Sequence, residues 1–306
     1  MKTANSDTLN FDIAVTGAGG FLGGAITRAL ADDWSRIVAF GRHAPGIDHP
    51  HVTPRAWDGR TPAQENVRAD IVVDCAAVIP ARAAHPDLLM TANVALARGA
   101  IGLAGRSRGK LIFMSSQSVI GRVDAPVIDS STPCAPDTPY GQAKLRAERM
   151  MAEAVNAGAL TGAIALRLPA VVGVGCHNNF PATAAARLAA GEPVTLFNPD
   201  APYNAVIHAE SMARFVQHLA QSMPTGFHAI SLASTPPIRV VDAVQALADG
   251  MDVMCQTDIA EAPHASPTID PSTATALGYE PEAVDAVLRR YGAETRIAIA
   301  TSRPPR

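Results

Sequence analysis

Short, continuous apolar runs alternate with helical stretches from residue 11 to about residue 233, and this alternation limits the chain to few folds. FDIAVTG (11–17), RIVAFG (36–41), ADIVVDCAA (69–77), KLIFMSS (110–116), GAIALRLPAVVG (162–173) and FHAISLA (227–233) read as strands. ITRALADD, the segment from Pro86 to about Arg106, and TPYGQAKLRAERMMAEAVNA (138–157) read as helices, the last with Thr138 as N-cap and Pro139 in its first turn. AVIHAESMARFVQHLA (205–220) reads as strand plus helix. Apolar strands that alternate with helices belong to a parallel sheet covered on both faces. The expected fold class is therefore α/β, a doubly wound parallel sheet with a smaller C-terminal lobe. The expected boundaries are 8–173 plus 205–233 for the doubly wound domain, and 174–204 plus 234–306 for a lobe that holds substrate.

The first strand runs into Thr16-Gly17-Ala18-Gly19-Gly20-Phe21-Leu22-Gly23, which opens the first helix. A first glycine permits the tight turn, a second lets backbone approach a pyrophosphate, and a third lets helix pack on strand. Gly17, Gly20 and Gly23, with Phe21 and Leu22 between them, are thus candidate contacts of a dinucleotide on a Rossmann-type sheet. In such folds an acidic residue at the end of the second strand holds the adenosine ribose. Here that strand ends Phe40-Gly41-Arg42-His43, with no carboxylate. Gly41 leaves room for a 2′-phosphate, Arg42 can pair with it, and His43 adds a donor. NADP(H) is the preferred cofactor, with NAD(H) possible.

Tyr140 and Lys144 lie four residues apart at the start of a helix, hence on one face. An ammonium beside a phenol favours the phenolate, which suits a proton donor or acceptor near neutral pH. Lysine is scarce, with only Lys2, Lys110 and Lys144 in the chain, so its presence here invites a reason. Ser116 ends a strand on the edge where ligands of such sheets sit, and its hydroxyl can reach a reacting oxygen. Ser116, Tyr140 and Lys144 are the candidate catalytic group.

These strings resemble those of the extended short-chain dehydrogenase/reductase superfamily, the NAD(P)-dependent epimerase/dehydratase family. TGAGGFLG is similar to its TGxxGxxG fingerprint, and SSQSVIG (115–121) to its SSxxVYG segment, with Ile120 in place of tyrosine. DCAA (74–77), LRLPAVVG (166–173), NAVIHAESMARFV (204–216) and IDPSTATALGYEP (269–281) extend the likeness over nearly the whole chain. The resemblance implies that Ala76 and Ala77 pass under the cofactor. It also implies that Asn93 is the family's structural asparagine, counted here with the cofactor site, and that Asp58 contacts the adenine. Family dehydratases carry Asp-Glu after the catalytic Ser or Thr; Gln117 and Ser118 stand there, so dehydration is disfavoured. Relatives that grip a diphosphate use arginines. One of those positions is Asn204, and no Lys or Arg lies between Arg239 and Arg289. A smaller, less anionic substrate follows, with Gln117, His177, Asn178, Asn179 and Asn204 as candidate contacts.

Cys75, Cys134, Cys176 and Cys255 match no metal-ligand spacing, and no metal site is expected. A net charge of −3 offers no reason to expect nucleic acid or an anionic membrane. The N-terminal residues are polar, and the most apolar stretch contains Arg167 and Pro169. A cytoplasmic protein without membrane association is expected. The resemblance implies a homodimer through the helices of Asn93 and Tyr140, to which Met150, Met151 and Val155 would add apolar surface. The leading expectation is an oxidoreductase that reduces a carbonyl, or oxidises the matching alcohol, with NADP(H). The alternatives are a nucleotide-sugar 4-epimerase with retained NAD and a non-catalytic sensor of NADP(H).

Overall fold

The computed structural model describes residues 8–60, 66–80, 85–261 and 267–302. In chain order the elements open with β1 (Leu9–Thr16), α1 (Phe21–Asp33), β2 (Ile37–Gly41), β3 (Val52–Ala56), β4 (Val67–Asp74), α2 (Pro86–Gly105) and β5 (Lys110–Ser116). There follow β6 (Val127–Ile128), α3 (Pro139–Asn156), β7 (Gly162–Leu168), β8 (Ala170–Val172), α4 (Phe180–Ala189), β9 (Val194–Phe197), β10 (Pro202–Tyr203) and β11 (Val206–His208). The chain continues with α5 (Ala209–Ser222), β12 (Gly226–Ser231), β13 (Ile238–Arg239), α6 (Val240–Met251), β14 (Thr257–Ala260), β15 (Thr268–Ile269), α7 (Ser272–Thr275) and α8 (Val284–Ser302).

Two compact units emerge. The first comprises the residues up to Gly121, Cys134–Arg167 and Ala213–Ile230; the second comprises Arg122–Pro133, Leu168–Met212 and the residues from Ser231 on. The first is built on a seven-stranded sheet of order β12-β7-β5-β4-β1-β2-β3. Its pairs β1–β2, β1–β4, β2–β3 and β4–β5 are all parallel. Val72, Leu111, Ala163 and Ala165 from the strands pack with Leu103, Ala147 and Met151 from α2 and α3, as apolar runs on both sheet faces require. Thr138 caps α3, its hydroxyl accepting from the Gly141 amide at 3.1 Å, with Pro139 in the first turn.

The second unit has its own core, in which Leu188 of α4, Val194 and Leu196 of β9, Leu247 of α6 and Leu288 of α8 meet. Its strands pair in twos, β8 with β11, β9 with β14, β10 with β13 and β6 with β15. Two differences from the sequence reading concern where the chain changes unit. Residues 162–173 are one apolar run in the sequence, yet β7 ends at Leu168 and β8 begins at Ala170. Pro169 between them has no N–H to give a ladder, so pairing breaks there. Residues 122–133 leave the first unit because Val127 and Ile128 pair with Thr268 and Ile269, a contact across the chain that no local pattern displays. Strand β3, which contains Pro54, also escapes a periodicity reading.

Candidate active site

Strand order reverses between β1 and β4, and ligands of such sheets sit outside the strand ends at that point. Gly17 follows β1 at φ +66°, and a Cβ on it would lie 2.8 Å from the Ala76 nitrogen and the Cys75 carbonyl. Glycine is therefore needed both for the turn and for its seat on Cys75–Ala76. A Cβ on Gly23 would lie 2.2 Å from the Gly17 carbonyl oxygen. Gly20 is the exposed N-cap of α1, whose first turn carries no acidic residue. Phe21 and Leu22 begin that helix half-buried. Close backbone, a helix N-terminus and no like charge fit a pyrophosphate, and hence a dinucleotide.

Asp74 lies beneath this turn, paired in register with Thr16. Its Oδ1 accepts from the Thr16 hydroxyl and, at 3.2 Å, from the Ala76 amide, while Oδ2 is buried with no hydrogen-bond partner. Burial pushes the Asp74 carboxyl above the ordinary carboxylate range, against the opposing pull of the Thr16 bond and the Lys144 charge. Sequence reasoning gives Asp74 no role; the one signal it offers is a carboxyl ending an otherwise apolar strand. Ala76 is half-buried and Ala77 exposed beyond it. Asn93, buried on α2, spends its amide on backbone: Oδ1 accepts from Val78 at 3.0 Å, and Nδ2 donates to Val78 and Leu89 at 2.8 and 2.9 Å. It holds the loop after β4, with both N–H groups of its amide spent on backbone.

At the end of β2, Arg42 and His43 are exposed. Gly41 is not there to leave space. A Cβ on it would lie 2.7 Å from the His43 carbonyl oxygen and 3.3 Å from Pro45 Cγ, so the chain's own turn fills that volume. Trp57, one residue before Asp58, donates its amide to the Gly41 carbonyl at 2.7 Å, which brings the exposed Asp58 beside the β2 end. One oxygen of Asp58 accepts from the Arg60 amide at 3.0 Å.

Tyr140 and Lys144 share one face of α3. Lys144 is buried; its Nζ donates to the Met114 carbonyl of β5 at 2.6 Å and lies 5.7 Å from the Tyr140 ring centroid and 4.5 Å from that of Phe113. Ser116 ends β5 half-buried, and its oxygen caps the short 3-10 turn Gln117–Val119. Behind this group sits a buried network absent from the sequence reading. Ser115 donates to Glu148 at 2.6 Å, and Arg167 meets the same carboxylate through Nε and Nη2 at 3.3 and 2.9 Å. It ties β5, α3 and β7 together directly behind Ser116. A family model described as NAD dependent epimerase/dehydratase family matches residues 13–232, which takes in the glycine turn, Ser116, Tyr140 and Lys144.

The chain belongs to the NAD dependent epimerase/dehydratase family.

Solved structures with the same fold include a UDP-glucuronic acid 4-epimerase from Bacillus cereus in complex with NAD (17% identity, TM-score 0.79, covering 94% of this chain and 99% of that one). A UDP-N-acetylglucosamine 4-epimerase from Methanobrevibacter ruminantium gives 18% and 0.78, with 95% and 99% covered. A UDP-glucose 4-epimerase from Stenotrophomonas maltophila with bound NAD gives 20% and 0.77, with 95% and 100% covered. No curated protein sequence matches.

The substrate-side candidates of this epimerase/dehydratase family member fare unevenly. Gln117 donates from Nε2 to the Arg167 carbonyl at 3.1 Å, and its Oε1 is buried without a partner. His177 and Asn178 are exposed, Asn178 at φ +59°. Asn179 is the N-cap of α4, accepting from Ala182 at 2.9 Å and donating to Val171 at 3.1 Å. Asn204 is buried, and its amide donates to the Ile269 carbonyl at 2.7 Å and accepts from the Ile269 amide at 2.9 Å. Asn179 and Asn204 therefore each spend one donor and one acceptor on backbone and hold it in place.

Proposed function

We propose that the protein is an NADP(H)-dependent oxidoreductase that reduces a small, weakly charged carbonyl or oxidises the matching alcohol. The observation that carries this reading is the state of five arginines in the second unit. Arg187 faces Glu192, Arg239 faces Asp242 and Asp200, Arg289 faces Asp249, Arg290 faces Glu210 and Glu294, and Arg296 faces Asp252. A diphosphate needs cationic donors, and each of these five faces a carboxylate that would compete with it. A substrate without phosphate makes no such demand.

The cofactor, when bound, supplies or takes up the hydride. Ser116 donates a hydrogen bond to the reacting oxygen, and Tyr140 gives it the proton on reduction or removes it on oxidation. Lys144, held by the Met114 carbonyl, places positive charge beside the Tyr140 ring and stabilises the phenolate left behind. Arg42, exposed at the end of a strand without a carboxylate, pairs with the extra phosphate of NADP(H). One charge-assisted contact amounts to about one to two decades of affinity, so NADPH should bind at least about tenfold tighter than NADH. Arg42→Asp should reverse the preference by adding repulsion; this variant avoids the steric conflict that any side chain at Gly41 would meet. Equal affinity for both cofactors in a direct titration would refute the assignment.

Function is tested by following NADPH absorbance with glyceraldehyde, diacetyl and benzaldehyde, and in parallel by looking for conversion of UDP-glucose. Consumption of NADPH by a simple carbonyl supports the reductase. Purification with retained NAD and interconversion of UDP-sugars would replace it with the second reading, a nucleotide-sugar 4-epimerase, which the solved structures of the same fold favour. We also propose a homodimer through α2 and α3. Met151 does not serve it, being fully buried in the first unit's core, where Val155 also packs. The apolar surface comes instead from α2, which carries Leu88, 58% exposed. A monomer by light scattering at micromolar concentration would refute it.

A further inference from the structure

We propose that Ser118 is a positioning residue that sets the Ser116 hydroxyl as a hydrogen-bond donor toward the reacting oxygen; this rests on the roles given to Ser116 and Tyr140 above. A serine oxygen has two lone pairs and one proton. The Ser116 oxygen accepts from the Ser118 amide at 3.2 Å, and the two hydroxyl oxygens lie 2.9 Å apart, within reach of donation from Ser118 to Ser116. With Ser118 donating through both groups, both acceptor directions are taken by one residue, and the Ser116 O–H is what remains to spend outside the turn. A hydroxyl held this way suits a carbonyl oxygen, and suits it better as negative charge develops there. Donation from Ser118 into Ser116 also polarises the outgoing O–H, because successive hydrogen bonds in a chain strengthen one another.

The same residue registers the serine turn against the helix that carries the tyrosine. A Cβ on Gly141 would lie 2.2 Å from the Ser118 carbonyl oxygen and 2.9 Å from Pro136 Cβ. The backbone of Ser118 therefore rests directly on the residue that follows Tyr140. Ser118 fixes the direction of the Ser116 proton through its side chain, and the spacing of the turn from the start of α3 through its backbone. A hydroxyl is needed at position 118 for the first task only, which makes the two separable.

The test uses the NADPH-loaded protein with Ser118→Ala, Ser118→Thr, Ser116→Ala and the Ser116→Ala/Ser118→Ala double variant. Turnover is read with glyceraldehyde. Binding is read with isobutyramide, which offers an acceptor oxygen but no reducible carbon, through the change in NADPH fluorescence. Ser118→Ala should lower kcat about 3- to 10-fold, the effect of one lost neutral hydrogen bond, and leave KM within about twofold. Isobutyramide should bind more weakly by a similar factor, NADPH affinity should stay unchanged, and Ser118→Thr should restore both readouts. In the Ser116→Ala background, Ser118→Ala should cost nothing more. Equal losses in both backgrounds, or a rise in KM at constant kcat, would overturn the proposal, since Ser118 would then act on its own. A neutral Ser118→Ala beside a damaging Ser116→Ala would overturn it while leaving the catalytic reading intact. A neutral Ser116→Ala, or a wild-type protein that neither reduces glyceraldehyde nor binds isobutyramide, would overturn both.

Discussion

The two units differ in how they hold their arginine–carboxylate pairs. In the first, beside exposed pairs such as Arg36–Asp12, one pair is taken out of water: Glu148 and Arg167 are 2% and 8% exposed, Lys144 is 3% exposed, and Asp74 is buried with one oxygen unpartnered. In the second, the ion pairs of Arg239, Arg289 and Arg296 lie on the surface. Buried charges are held in fixed geometry by their neighbours, which is what a proton-transfer site requires. Exposed pairs neutralise a surface at little structural consequence. The contrast teaches that the first unit invests buried, geometrically fixed charge beside its sheet, whereas the arginine pairs described in the second lie at the surface.

The sharpest test of that contrast is Glu148→Gln. It leaves Arg167 buried without its carboxylate and should cost about 3–5 kcal/mol in urea unfolding, while joint replacement of Glu148 and Arg167 by Leu and Met should cost less than either single change. A loss no greater than that of a surface pair would erase the distinction between the units. Next in size is Tyr140→Phe, which keeps the ring and removes the proton. Turnover should fall by roughly two orders of magnitude or more, with NADPH affinity retained. Wild-type turnover would remove Tyr140 from the mechanism.

A smaller effect is expected at Asp74. Its carboxyl is raised in the folded state above the ordinary value of 3.8, chiefly by burial, so the native protein favours the proton more than the unfolded chain does. Its contribution to stability is therefore complete below the ordinary value and is lost as pH rises through the folded one. Asp74→Asn keeps an acceptor for Thr16 and Ala76 and cannot ionise. Its melting temperature should decline less with rising pH than that of the wild type, and parallel profiles would refute this reading. Smallest of all, Arg289→Ala breaks an exposed pair with Asp249 and should leave the unfolding midpoint unchanged within error.

Much of the candidate site in the first unit is legible in the amino-acid sequence. Tyr140, Lys144 and Ser116 can be read there because a spacing of four on a helix, and the last residue of a strand, are local facts. The glycine turn can be read for the same reason, since strand, turn and helix follow one another directly. Asp74, Ser115, Glu148 and Arg167 cannot, because the bonds among β1, β4, β5, α3 and β7 join residues as far apart as 58 positions. The backbone bonds of Asn179 and Asn204 are hidden for a related cause. A polar amide in a loop looks available until the backbone that satisfies it, such as Ile269 for Asn204, is seen 65 residues away.

By itself, then, the sequence determined the alternation of strand and helix, the glycine turn and the candidate group Ser116, Tyr140 and Lys144, since each depends on periodicity or on spacing within one or two elements. Only the tertiary structure decided which polar groups are free to act. Whether a side chain meets water, a partner or a ligand depends on segments distant in the chain, and hydrogen-bond satisfaction is a property of the packed whole. That is why the space at Gly41 proved to be filled by the His43 carbonyl, and why the Ser116 oxygen proved to lie against both the amide and the hydroxyl of Ser118.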